Sequence, residues 1–253
     1  MNEKFAKLIG TLFISIAVIV AAHFLGDAYK DKNRINDTIE VTGLGKKDFD
    51  ADLVVWRGSF SSQNMELQQA NSNLNRDREY LKKYLIENGI DPEEMVFEAI
   101  NINPQFEYVY DENGNSHREF RGYKLEQTVI ITARNDQDEN RIEVVERVSR
   151  EVTDIINAGI EFHSYAPQYY FTQLEELKIE MIAAATENAT ERAEQIAENS
   201  GVSLGDLKNA RMGVFQILGR HMNEEYSWGG TFNTSSKEKT AQITMKLKFE
   251  IDG

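Results

Sequence analysis

Two stretches of the 253-residue chain hold residue types whose spacing could do chemistry. Gly43-Leu44-Gly45-Lys46-Lys47 could cradle a phosphate, because glycine bares backbone amides and a lysine ammonium adds charge. A phosphate loop, however, separates its two glycines by four residues and follows them with Lys-Ser/Thr opening a helix. Here one residue separates the glycines, Asp48 follows Lys47, and strand-like alternation resumes. The stretch is therefore read as a bend or bulge between two strands, with glycine supplying unusual backbone angles. The second stretch is IEFHSYAPQYYF, where His163 stands near Tyr165, Tyr169, Tyr170 and Phe171. An aromatic cluster packing a sheet explains it. The competing reading is a small-ligand-binding or enzymatic pocket using His163, Tyr165 and Tyr169.

Other chemistries fail on residue type or spacing. Cysteine is absent, which removes disulfides, thiolate metal sites and thiol nucleophiles together. His117, His163 and His221 lie in separate elements without metal-ligand spacing. Ser59, Ser61 and Ser62 have no nucleophile-elbow context. Asp91-Pro92-Glu93-Glu94 reads as a turn, and Glu175-Glu176 as the acidic first turn of a helix. No catalytic residue, metal site or cofactor is assigned. The net charge of −14 opposes a nucleic-acid partner, since phosphate binding needs clustered Lys and Arg.

The elements that would position these residues follow from periodicity. Lys4 and Lys7 precede the uncharged run 8–26, near the roughly 20 residues that cross a bilayer. An uncleaved inner-membrane anchor over 1–26 is expected, with the rest in the periplasm. Cleavage as a secretory signal after Ala22 is the alternative. Residues 27–37 read as a polar tether, and 38–253 as one domain.

Within it, alternation marks strands at Ile39–Val41 and at Leu53–Phe60. A long hairpin is expected around Asp111–Asn115, whose Asn-Gly step favours a tight turn. Further strands are expected at IEFHSYAPQYYF and at Ile243, Met245, Leu247 and Phe249. Helical stripes fall at Leu67, Ala70, Leu74, Leu81 and Leu85, at Ile142, Val145, Val148, Val152 and Ile155 (a helix over 138–158), and at Leu177, Met181, Ala184, Ala185, Ala189, Ala193 and Ile196. Each helix stops on a glycine: Gly89, Gly159 or Gly201. LKNARMGVFQ could add a short strand, and 211–237 reads as a long mobile loop. The expected class is α+β: a largely antiparallel sheet with three long amphipathic helices packed on it, preceded by one N-terminal transmembrane helix.

These segments also resemble a family. IEVTGLGKKDFDADL, a long helix ending NGI, INPQFEYVY, GYKLEQTVIITARN, NAGIEFHSY and ATERAEQIAENSGVSLGDL are similar to the SIMPL-domain family of bacterial envelope proteins, from about Thr38 to Gly253. Where many members carry Pro-Asp at the second strand, this chain has Ala51-Asp52. The resemblance implies a periplasmic or envelope-attached domain, no established catalytic residues, ring-like homo-oligomers and an association with stress tolerance. The favoured expectation is a non-enzymatic assembly or interaction protein.

Overall fold

The computed structural model describes residues 13, 15–26, 38–110, 115–135, 140–220 and 229–252. Two compact units are formed. One comprises residues 1–46, 178–215 and 242–253, and the other residues 47–177 and 216–241. Among the described residues no helix is long and apolar enough to cross a membrane. The transmembrane helix expected over 8–26 is therefore not shown among the described residues. Residues 8–12 and 14 of that run lie outside the described residues, while 15–26 are helical with Val18, Ile19, Phe24 and Leu25 exposed.

In the second unit, alternation builds a six-stranded sheet of order β3-β5-β2-β6, with β4 (Asn101–Tyr110) joined to β5 (Ser116–Arg134) and β7 (Gln168–Tyr170) to β2 (Leu53–Asn64). β3 is Met95–Phe97 and β6 is Glu161–Ser164. Its pairings are antiparallel. The inward residues of β5, Leu125, Val129 and Ile131, are buried, while Lys124, Glu126, Thr128 and Thr132 point the other way, as one-sided alternation requires. Helix α1 (Leu67–Glu87) lays Ala70, Leu74, Leu81 and Leu85 on this sheet; Leu67 stays exposed and Asp77 takes a buried place on the stripe. β4 and β5 form the expected hairpin, paired from Asn101↔Glu126 to Tyr110↔Ser116 with a one-residue register shift between Gln105 and Phe106; its turn, 111–114, lies outside the described residues.

The single helix expected over 138–158 is two: α2 (Arg141–Arg150) and α3 (Thr153–Asn157). No proline or glycine breaks it. The carbonyls a continuous helix would use are taken from outside, Ser149 O by the Ser164 hydroxyl at 3.0 Å and Glu151 O by the Tyr84 hydroxyl at 2.6 Å. The backbone answers with a tighter turn, Ile155 N–H donating to Val152 O.

The glycine stops are real. Gly89 has φ of 95°, Gly89 N–H donates to Ile86 O, and Ile90 N–H reaches back to Leu85 O, which closes a Schellman motif. The same pair of bonds recurs at Gly159 and Gly201.

In the first unit the sheet order is β1-β10-β8, from β1 (Thr38–Asp50), β10 (Glu238–Asp252) and β8 (Ser203–Met212). Ile243, Met245, Leu247 and Phe249 of β10 are buried as one face. Helix α4 (Leu174–Ser200) opens with Glu175 and Glu176 and buries Leu177, Met181, Ala185, Ala189, Ala193 and Ala197, a seam narrower than expected that leaves Ala184 and Ile196 exposed. In place of a single sheet there are thus two, and in place of three long helices, two long and two short. The stretch expected as a mobile loop begins as strand: β8 runs to Met212 and β9 (Gln216–Gly219) pairs with β10, while 221–228, with His221, lies outside the described residues.

Candidate functional site

Gly43 to Lys47 is not a bend. β1 runs through it without interruption, and neither glycine has positive φ. Alternation places Val41, Gly43 and Gly45 on the buried face, against α4. A Cβ at Gly43 would fall 2.1 Å from Ala185 O, and one at Gly45 2.4 Å from Met181 O. The glycines serve close approach of a helix backbone. The intervening amide is also occupied, since Leu44 N–H donates to Asn188 Oδ1 at 3.1 Å. A phosphate would find no open nest here.

The sheet register brings His163 and Tyr165 together and sets Tyr169 apart. His163 pairs with Ser59 of β2, and Tyr165 N–H donates to Arg57 O, so both belong to the odd-numbered face of β2. Their rings meet edge-to-face with centroids 4.5 Å apart. Tyr169 pairs with Val54 and therefore shares the opposite, core-directed face. Its hydroxyl donates to Glu146 Oε1 at 2.9 Å.

Around His163 and Tyr165 lies a shallow cleft of about 390 Å³ that also takes in Ser61, Lys124, Glu126 and Glu161. Lys124 Nζ stands 3.1 Å from Glu161 Oε1. That hydrogen bond, with a second from Ser61, holds the Glu161 carboxyl below its ordinary range. The sequence reading missed Lys124, Ser61 and Glu161 as cleft residues. Each is an ordinary outward-facing strand residue, and only the register of three strands gathers them. The cleft offers an aromatic edge and a neutralised ion pair. Among the described residues no three of His, Asp and Glu gather to hold a metal ion.

Tyr169 makes a measurable pH signature. Burial first, then the hydrogen bond and charge of Glu146, push its phenol up to about 12. A phenol raised above its unfolded value near 10 favours the protonated folded state. Its contribution is fully present below about pH 10 and lost as pH rises towards about 12. Tyr169→Phe is expected to lower stability by about 1 kcal/mol at neutral pH, a gap that closes between about pH 10 and 12. Urea midpoints of the two proteins across that range check it; a gap that persists at pH 12 would refute the account.

Against known proteins, the profile of SIMPL, described as a protein of unknown function (DUF541), matches residues 39–249. The chain belongs to the SIMPL family. It is also similar to the uncharacterized protein YggE of Edwardsiella ictaluri (strain 93-146), 26% identical over 157 residues. That alignment covers 62% of this chain and 60% of the relative. The matched region of this SIMPL chain begins with β1, whose glycines receive α4, and runs through β10 to Phe249.

Proposed function

We propose that this SIMPL chain is a non-enzymatic envelope protein that acts by self-assembly. In this reading residues 8–26 anchor it in the inner membrane and residues 38–253 lie in the periplasm, where assembly would underlie the stress tolerance that the family resemblance implies. One observation carries the assembly reading. β2 reaches β5 only as far as the Asn64↔Tyr123 pair, so, among the described residues, 106–110 and 116–120 pair as strands with each other alone. A two-stranded ribbon is marginal in water unless something covers it. One face of this ribbon carries Phe106, Tyr108 and Tyr110, which are 42%, 67% and 71% exposed. Phe106 stacks edge-on with Phe120 and beneath the Arg118 guanidinium, 3.7 Å from the ring centroid, whereas among the described residues the two tyrosines make no such contact. Uncovered aromatics on a projecting arm suit a partner surface.

A second copy is the occupant favoured by the sheet edges. β1 and β8 stand at the two ends of the order β1-β10-β8, so each chain carries two edge strands, with Leu44 N–H and Thr42 O of β1 already bonded to Asn188 and Arg192. A contact between unlike edges closes a ring when its rotation allows.

Light scattering of the full chain in detergent, at low and moderate salt, tests this reading. A species larger than a dimer is expected, strengthening with salt as the repulsion of a −14 chain is screened. Tyr108→Ser with Tyr110→Ser should shift it to monomer without changing the melting temperature. A monomeric wild type in both buffers would overturn assembly and favour a ligand-binding role for the His163–Tyr165 cleft.

A further inference from the structure

The chain is strongly acidic, yet one face of the first unit is basic. In the antiparallel pairing of β10 with β8, Lys246 stands opposite Arg211 and Lys248 opposite Asn209. Their side chains project away from the buried row Met245, Leu247 and Phe249. Together with Lys208 and with Glu40 of β1 they border a shallow cleft of about 460 Å³. Thr38, the first residue of β1, lies on its rim.

The two acids on this face are already satisfied. Glu250 pairs with Lys208 at 2.7 Å, and Glu40 pairs with Lys246. The hydrogen bond from Lys246, then the charges of Lys246, Lys248 and Arg211, hold the Glu40 carboxyl below its usual range. Both acids are therefore tied in ion pairs, which leaves two positive charges in excess on the face, at Arg211 and Lys248. Neither forms an ion pair among the described residues. In a molecule of charge −14, such a face is where an anionic partner can approach without net repulsion.

We propose that this basic face docks on the anionic phospholipid headgroups of the bilayer that holds residues 8–26. The inference rests on the anchor reading given above. Tether length makes lipid the occupant. Eleven residues separate the apolar run from Thr38, and fully extended they reach about 40 Å, with a flexible-chain average of about 20 Å. The cleft rim is therefore confined near the headgroups, at an effective concentration in the millimolar range. Attraction too weak to recruit a free protein is enough to orient a tethered one. Each cation near an anionic surface favours contact by about fivefold, so Arg211 and Lys248 together give about thirtyfold. The attraction acts within about 10 Å and is weakened by salt. Docking would fix which way the first unit faces while it remains attached.

Because the chain has no cysteine, a single reporter is clean. Asn209→Cys, bordering the cleft, carries a fluorophore on the full chain in lipid nanodiscs bearing a headgroup-attached nitroxide quencher. Discs of phosphatidylcholine alone are compared with discs containing phosphatidylglycerol. Strong quenching in the anionic discs is expected, falling with added salt and returning to the neutral-lipid value in the Arg211→Gln/Lys248→Gln double variant. That variant leaves the Lys246–Glu40 and Lys208–Glu250 pairs intact, and an unchanged melting temperature verifies its fold. Equal quenching in both lipids, or quenching that the double variant leaves unchanged, would overturn the docking alone. A chain that does not co-elute with the discs would overturn the anchor and the docking with it.

Discussion

Gly43→Ala is expected to destabilise the first unit by about 3 kcal/mol, the upper end of what overpacking costs. The added methyl would sit 2.1 Å from Ala185 O, 2.5 Å from Ala189 N and 2.7 Å from Ala189 Cβ. Two of these three atoms are helix backbone, so no rotamer change relieves the clash. Relief requires α4 to move as a body, and its seam is already closed by Ala185, Ala189 and Ala193, each fully buried. The shift would also stretch the bonds from Leu44 N–H to Asn188 and from Arg192 to Thr42 O. For a chain of this size the loss corresponds to a fall in melting temperature of about 6–12 °C. Leu44→Ala, on the opposite and half-exposed side of the strand, should change it by a few degrees at most. Thermal unfolding followed by circular dichroism decides the matter; a Gly43→Ala melting curve matching that of wild type would show that α4 is not held against β1.

The second large effect is at Trp56, the largest side chain that the second unit buries completely. Trp56→Ala should cost about 3–5 kcal/mol, because a cavity of indole size opens in a close-packed core. Phe162 meets the indole edge-on at 6.2 Å and would lose that partner. The indole also carries a polar duty: Nε1 donates to Ser164 Oγ at 3.0 Å, and Ser164 in turn donates to Ser149 O. This relay occupies one of the carbonyls at the end of α2. Trp56→Phe therefore separates the two contributions, keeping most of the apolar contact while removing the donor, for a loss of about 1–2 kcal/mol. Urea denaturation of both variants measures them. Equal losses for alanine and phenylalanine would mean that the relay, and not the packed volume, dominates at this position.

The long elements were legible because periodicity belongs to one segment at a time. β5 alternates as read, β10 buries Ile243, Met245, Leu247 and Phe249, and α1 buries four of the five residues assigned to its stripe. Even the inward phase of Lys239 follows from its parity with Ala241 and Ile243. What parity could not supply is the partner: Lys239, 1% exposed, donates to Asn233 O at 2.5 Å. The candidate cleft was half legible. His163 and Tyr165 are two residues apart on one strand face, so they meet. Tyr169 was grouped with them on nearness in sequence, but the chain leaves β6 and re-enters the sheet as β7 in a register that turns Tyr169 to the core.

By itself the sequence determined the SIMPL identity, from motifs spread over residues 39–249, and the phases of β5, β10 and α1 and the three glycine stops, each of which depends on neighbours within a few residues. Only the tertiary structure decided that Gly43 and Gly45 admit a helix backbone instead of bending a strand, that α2 ends where it does, and that Lys124 and Glu161 share the His163 cleft. The bond from Tyr84 to Glu151 O that helps end the helix spans 67 residues. Such pairings are fixed by which surfaces pack and in what register. A periodic pattern shows that a face will be buried, but the atoms that bury it come from elsewhere in the chain.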